Sequence, residues 1–234
     1  MNNIEALDIM FNFIPKILLK QLKKEGLYEP ILSGRIKDGA ELYNHLSNNH
    51  ILMFDPDCTE PAESLFKFMS PGNTLEIGCG QGDFLKRLAN LGSNHLFGIE
   101  RSEKMTTLAQ KKLINYDNID LFISDVRTFD FNNLPVIDNV LINNFWGMID
   151  EDDSKKLLYS LKQCLNEKSL IFIGPYQEIE QTKKVKEAKN TLKDNLNFTF
   201  SFPFFKDFIP LGYNQRLISV AGMDYYLLKL TTNI

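Results

Sequence analysis

Between Asn73 and Pro175 the chain alternates short apolar runs with stretches of helical periodicity. The runs are "TLEIG", "HLFGIE", "IDLFISD", "VIDNVLIN" and "SLIFIG"; the helical stretches include "DFLKRLANLG", "SEKMTTLAQKKLINY" and "DSKKLLYSLKQCLN". Runs this short and apolar predict strands. Alternation with helices predicts βαβ units, joined in parallel by right-handed crossovers. The chain is therefore expected to be α/β, with helices on both faces of a mostly parallel sheet.

The flanks follow other patterns. Residues 4–24 carry Ile4, Leu7, Met10, Phe11, Ile14, Ile17, Leu18 and Leu22 at helical spacing, interrupted by Pro15. "GLYEP" ends that helix, and "DGAELYNHLSNN" and "TEPAESLFKFMS" predict two more, before a turn at "SPGN". Residues 1–70 are expected to form a helical cap or lid, and 71–234 the binding domain. Beyond the fifth strand, "EQTKKVKEAKNTLKD" predicts a helix whose lysines, interleaved with Glu180 and Glu187, make a solvated face. "NFTFSFPFF" alternates, and "RLISVAGMDYYLLKL" predicts a hairpin turning at Ala221-Gly222-Met223-Asp224. The phenylalanines of "FSFPFFKDFIPLGY" are expected to pack on the core, some of them walling an apolar acceptor pocket.

The net charge of −4 argues against a nucleic acid or an anionic lipid surface as partner. Cys58, Cys79 and Cys164 are odd in number and far apart, which predicts neither a disulfide framework nor a metal site and fits a cytoplasmic setting. Glu5, Asp8, Pro15 and Lys16 interrupt the apolar N-terminus, so no membrane helix is expected there.

"LEIGCGQGDF" (Leu75 to Phe84) carries most of the chemistry. A strand runs into Gly78, Gly80 and Gly82, where a missing Cβ lets the backbone turn sharply and approach a ligand. A dinucleotide loop needs a glycine at position 83; Asp83 stands there, and its charge would repel a pyrophosphate at the helix N-terminus. No Gly-Lys-Ser/Thr follows, which excludes a P-loop. The loop is expected to hold a nucleoside without phosphates, carrying positive charge near Glu76 or Asp83.

With "EIGCGQG", "GIERS" and "ISDV" in sequence, the chain resembles the class I, Rossmann-like S-adenosylmethionine-dependent methyltransferases. The resemblance runs from about Asn73 to Pro175. It implies a seven-stranded sheet and S-adenosyl-L-methionine as cofactor. Glu76, Gly78, Gly80 and Gly82 would seat the methionine part, Glu100 the ribose, and Asp125 with Val126 the adenine. Cys79 is expected to pack or to offer its amide, not to act as a nucleophile.

The acceptor should lie beside the end of the fourth strand, in "DNVLINNFWGMID". Two registers fit. The adenine- and glutamine-modifying enzymes end this strand in Asn/Asp-Pro-Pro-aromatic, which would make Asn143 and Trp146 an amine clamp; Asn144 and Phe145 then replace both prolines. In the small-molecule enzymes the strand runs into a short helix and an acidic helix start, and Asn143 and Asn144 would line the cofactor or acceptor pocket. The second register is favoured. Asn143 and Trp146 are thus the expected acceptor contacts, and a small molecule or short peptide the expected acceptor. Alternatives are an N-methyltransferase of nucleic acid or protein, an aminopropyltransferase, and a non-catalytic cofactor-binding or scaffolding protein. His45, His50, Tyr43 and Tyr28 receive no catalytic role, and His95 is expected far from the chemistry.

Overall fold

The computed structural model describes residues 22–36, 39–48, 59–143, 151–176 and 212–231, with positions 2, 5, 6, 149, 184, 187, 188 and 191. Seven strands are formed: β1 (Thr74–Ile77), β2 (Leu96–Glu100), β3 (Ile119–Ile123), β4 (Ile137–Asn143), β5 (Leu165–Tyr176), β6 (Tyr213–Val220) and β7 (Met223–Leu230). They make one sheet in the order β3-β2-β1-β4-β5-β7-β6. The first five run parallel, and β7 is antiparallel to both β5 and β6. The order reverses between β1 and β4, and such a reversal opens a crevice at the carboxyl ends of the strands.

Six helices are described: α1 (Tyr28–Leu32), α2 (Gly39–Asn48), α3 (Thr59–Phe66), α4 (Asp83–Asn90), α5 (Glu103–Lys112) and α6 (Glu151–Leu161). The chain divides into two compact units. One comprises Met1–Phe54, Gly147–Asp150 and Glu178–Phe202; the other, Asp55–Trp146, Glu151–Gln177 and Pro203–Ile234, contains the whole sheet. In the first unit Leu22, Leu27, Ile31, Ile36 and Leu42 are buried, and Gly26 (φ 63°) turns the chain after Lys24. The predicted helix over 4–24 falls mostly outside the described residues, as do most of 177–211. Lys184 and Glu187 are described; both are helical and exposed.

In the second unit, β1 and β4 sit mid-sheet, and Val140, Leu141 and Ile142 are fully buried. That explains why their sequences read as unbroken apolar runs. Ala62 and Leu65 of α3 join Phe84, Leu85 and Leu88 of α4 in the core that also holds Leu141, Phe172 and Tyr225. Ser102 caps α5 by accepting from the Met105 amide at 3.2 Å, so the helix starts directly after the end of β2.

The hairpin turns within the expected residues, but more tightly. Val220 pairs with Met223 and Ser219 with Asp224, so Met223 and Asp224 already belong to β7. Only Ala221 (φ 50°) and Gly222 (φ 73°) form the turn. Two central residues at positive φ match the twist of the flanking strands, which is why so tight a turn prevails. Alanine is strained there. Ala221→Asn is expected to raise stability by about 0.5–1 kcal/mol, read as a higher urea midpoint at unchanged slope.

Candidate active site

The residues after β1 leave the sheet through a chain of left-handed conformations. Gly78, Gly80 and Gly82 have φ of 71°, 53° and 75°, values that side chains other than glycine rarely adopt. The Gly78 and Cys79 amides both donate to the Ile99 carbonyl, at 2.8 and 3.2 Å, which pins the loop to the end of β2. The Cys79 amide is therefore engaged. Its thiol is buried against Gly98, where a Cβ would lie 2.8 Å from Sγ. Burial, with the nearby Glu76 and Glu100 charges, holds that thiol well above its ordinary pKa, the opposite of what a nucleophile needs.

Glu100 ends β2 and closes the loop from the other side. Its Oε2 accepts from the Gly80 amide at 3.1 Å and its Oε1 from the Ser102 amide at 2.7 Å. Burial raises its pKa, and these backbone bonds partly counter the rise. The carboxylate is held rigidly, with lone pairs to spare on both oxygens.

Glu76 lies inside β1 and is 4% exposed. Its Oε2 is buried and has no hydrogen-bond partner among the described residues. Burial, then the charges of Asp83 and Glu100, push its carboxyl well above the ordinary value. Asp83, the first residue of α4, is paired with Lys112 of α5.

Asp125 follows the end of β3. Its Oδ1 accepts from the Arg127 amide at 3.0 Å and Nε at 2.9 Å; its Oδ2 meets Arg101 Nη1 at 3.0 Å and Arg127 Nη2. Burial alone would raise its pKa, but the arginine bonds outweigh burial and hold it below the ordinary range. Val126, next in line, is buried.

Asn143 is the last residue of β4, and its Oδ1 accepts from the Tyr225 hydroxyl of β7 at 2.7 Å. Glu76, Glu100, Asp125 and Asn143 thus all stand at or just past the carboxyl-terminal halves of neighbouring strands, where the strand order reverses.

Residues 74–168, under half of the chain, match the family model described as a methyltransferase domain. This stretch contains β1 to β4, the glycine loop and the first residues of β5. Among solved structures, the chain is similar to the plantazolicin methyltransferase BpumL in complex with SAH. The two share 16% identity and a TM-score of 0.56, over 93% of this chain and 100% of that one. It is also similar to the mitomycin 7-O-methyltransferase MmcR, at 15% identity and TM-score 0.58, over 82% of this chain and 57% of that one. Against the CcbJ methyltransferase from Streptomyces caelestis it has 20% identity and a TM-score of 0.46, over 51% of this chain. The chain spans about half of CcbJ's length, 49%. No curated protein matches the sequence.

Of the residues singled out in the sequence, Asn144, Phe145 and Trp146 lie outside the described residues, as does His50. His95 pairs with Asp120 at the entry to β2, at the opposite end from the glycine loop. His45 is exposed on α2 in the first unit. Sequence reading missed Tyr225, Arg101 and Arg127. The two arginines had a signal, since each directly follows or flanks an expected ligand acid; Tyr225 had none beyond its place in an alternating strand. Among the described residues, no three His, Cys, Asp or Glu side chains cluster as a metal site, and no helix is long and apolar enough to cross a membrane.

Glu76 gives the protein a defined pH response. In the unfolded chain its carboxyl ionises near the ordinary 4.5, and in the folded chain well above it. A raised folded pKa contributes stability that is complete below pH 4.5 and lost as pH rises toward the folded value. Glu76→Gln is therefore expected to raise the urea midpoint of the ligand-free protein at pH 7, and to leave it unchanged at pH 4. Asp125 acts in reverse: its lowered pKa stabilises above 3.8, and that contribution fades as pH falls through the folded value.

Proposed function

We propose that the protein transfers a methyl group from S-adenosylmethionine to a small molecule or short peptide, working in the cytoplasm. The observation that carries the site assignment is the buried Oε2 of Glu76 without a partner. A fully desolvated carboxylate is costly unless a cation meets it. The ammonium of a methionine moiety is such a cation, and the open space at Gly80, with only Met105 Cε at 3.9 Å from a would-be Cβ, admits it. The residues fit the cofactor.

Glu76 with Gly78, Gly80 and Gly82 then seats the methionine part, and Glu100 accepts from the ribose hydroxyls while its backbone donors hold it still. Asp125 takes the adenine amino group by giving up its Arg101 contact, with Val126 packing beside the ring. The cofactor supplies a methyl on a sulfonium, so the acceptor forms one bond to carbon as the carbon–sulfur bond breaks to a neutral thioether. The protein's part is alignment and exclusion of water. Asn143 and Trp146 contact the acceptor. BpumL and MmcR are named for plantazolicin and mitomycin, which supports an acceptor of modest size over a nucleic acid.

Calorimetry with S-adenosylhomocysteine tests the assignment. Affinity is expected to rise with pH in the wild type, because ligand binding requires ionised Glu76, and to lose that dependence in Glu76→Gln. Tight, pH-dependent binding by Glu76→Gln would remove Glu76 from the site.

A further inference from the structure

Tyr225 comes from the antiparallel end of the sheet, yet its hydroxyl reaches β4. The register explains how. Ile173 of β5 pairs with Tyr226 of β7, and Tyr176 pairs with Asp224. Gly174 and Pro175 therefore stand together opposite Tyr225, two residues against one, which is a β-bulge. Pro175 lacks an amide hydrogen, so it suits the unpaired bulge position. Gly174 matters more. A Cβ there would lie 2.4 Å from Tyr225 Cδ1, so the ring lies directly over this glycine. Gly174 is also the residue that pairs with Asn143. The bulge and the missing side chain together let a β7 side chain cross β5 and touch the end of β4.

The phenol is 1% exposed, and its only partner among the described residues is Asn143 Oδ1. Burial and the field of Glu76 hold its pKa above the usual phenol range, so it remains a donor. A buried O–H without an acceptor is costly. That fixes the amide: were Asn143 turned over, the phenol would face an NH2 and its own hydrogen would have no acceptor. With the oxygen held by Tyr225, the NH2 end points away from β7 and carries no hydrogen bond among the described residues.

We infer that Tyr225 is a positioning residue that locks Asn143 with its amide NH2 toward the acceptor, so that the site selects an acceptor presenting a lone-pair oxygen, such as a phenol, alcohol or carboxylate. This deepens the proposed function and rests on it for the word acceptor; the Tyr225–Asn143 lock itself does not. It reverses the polarity of an amine clamp, in which the amide oxygen must receive an N–H.

The test uses the full chain labelled with 15N-asparagine, with and without S-adenosylhomocysteine. Asn143→Asp identifies the Asn143 side-chain amide pair by its loss. Tyr225→Phe keeps the ring over Gly174 and removes only the hydroxyl. In Tyr225→Phe the Asn143 pair is expected to shift and broaden while the other asparagine pairs stay in place. An unmoved pair would overturn the lock, whether or not the nucleoside binds. Failure to bind S-adenosylhomocysteine with the shift intact would instead strike at the cofactor reading. Polarity is read with radiolabelled S-adenosylmethionine and matched acceptors on one ring, 4-methylphenol against 4-methylaniline. Label is expected on the phenol at least ten times faster, with Tyr225→Phe raising KM for it while the nucleoside affinity holds. Faster labelling of the aniline would overturn the oxygen preference.

Discussion

Glu100→Ala is expected to lower the affinity for S-adenosylhomocysteine by about two to four orders of magnitude. Two ribose hydroxyls would each lose a charged acceptor, at about 1.5–3 kcal/mol apiece. The same substitution releases the Gly80 and Ser102 amides, which Glu100 holds at 3.1 and 2.7 Å, so the loop also loses its anchor. Glu100→Gln separates the two effects. It keeps one acceptor and the side chain's shape, and is expected to retain part of the affinity. Calorimetry on both variants checks this, with thermal unfolding to confirm that each is folded. Wild-type affinity in Glu100→Ala would break the ribose assignment.

Gly82→Ala and Gly80→Ala are expected to fail in different ways, although the two glycines differ little in backbone conformation. A Cβ at Gly82 would meet Leu113 Cδ1 at 2.7 Å and Ala109 Cβ at 3.3 Å. That is a collision inside the contact between the glycine loop and α5. Left-handed strain of about 1–2 kcal/mol adds to overpacking of about 1–3 kcal/mol. A loss of about 2–5 kcal/mol follows, which for a chain of this size lowers Tm by roughly 4–20 °C. At Gly80 the nearest atom to a Cβ is 3.9 Å away, so only the strain remains. Gly80→Ala is expected to lose only about 1–2 kcal/mol, yet to bind nucleoside at least tenfold more weakly, since its methyl would occupy space left for the ligand. Differential scanning calorimetry and titration of both variants check the contrast. Equal behaviour would show that the loop has one role, not two.

The central strands were legible because both their faces are buried. Val140, Leu141 and Ile142 must all be apolar, and no period-two pattern interrupts them. The glycine loop was legible for a related reason: three left-handed positions within five residues admit almost no other residue. The hairpin's place was legible, since its loop is the first two of the four expected residues; its register was not, because the turn type decides the register and Ala-Gly is a weak signal for it. Tyr225 was hidden for a different reason. Its partner lies 82 residues away, and the contact depends on a bulge that extra residues in β5 create against β7. No local pattern in "MDYYLLKL" distinguishes a tyrosine that crosses a strand from one that packs in place. The arginines around Asp125 did leave a trace, since each follows or flanks an expected ligand acid, but an acid at a strand end reads alike whether it is free or already bound. Asn144, Phe145 and Trp146, on which the two acceptor registers differ most, lie outside the described residues.

The burial of Glu76 in the middle of the sheet ties the protein's durability to its occupant. In an empty chain the dry layer around this carboxyl opposes its ionisation, and a cationic guest would relieve that tension from within. Preparations depleted of nucleoside should therefore age faster than loaded ones. The guest then serves as a missing piece of the interior as well as a reagent.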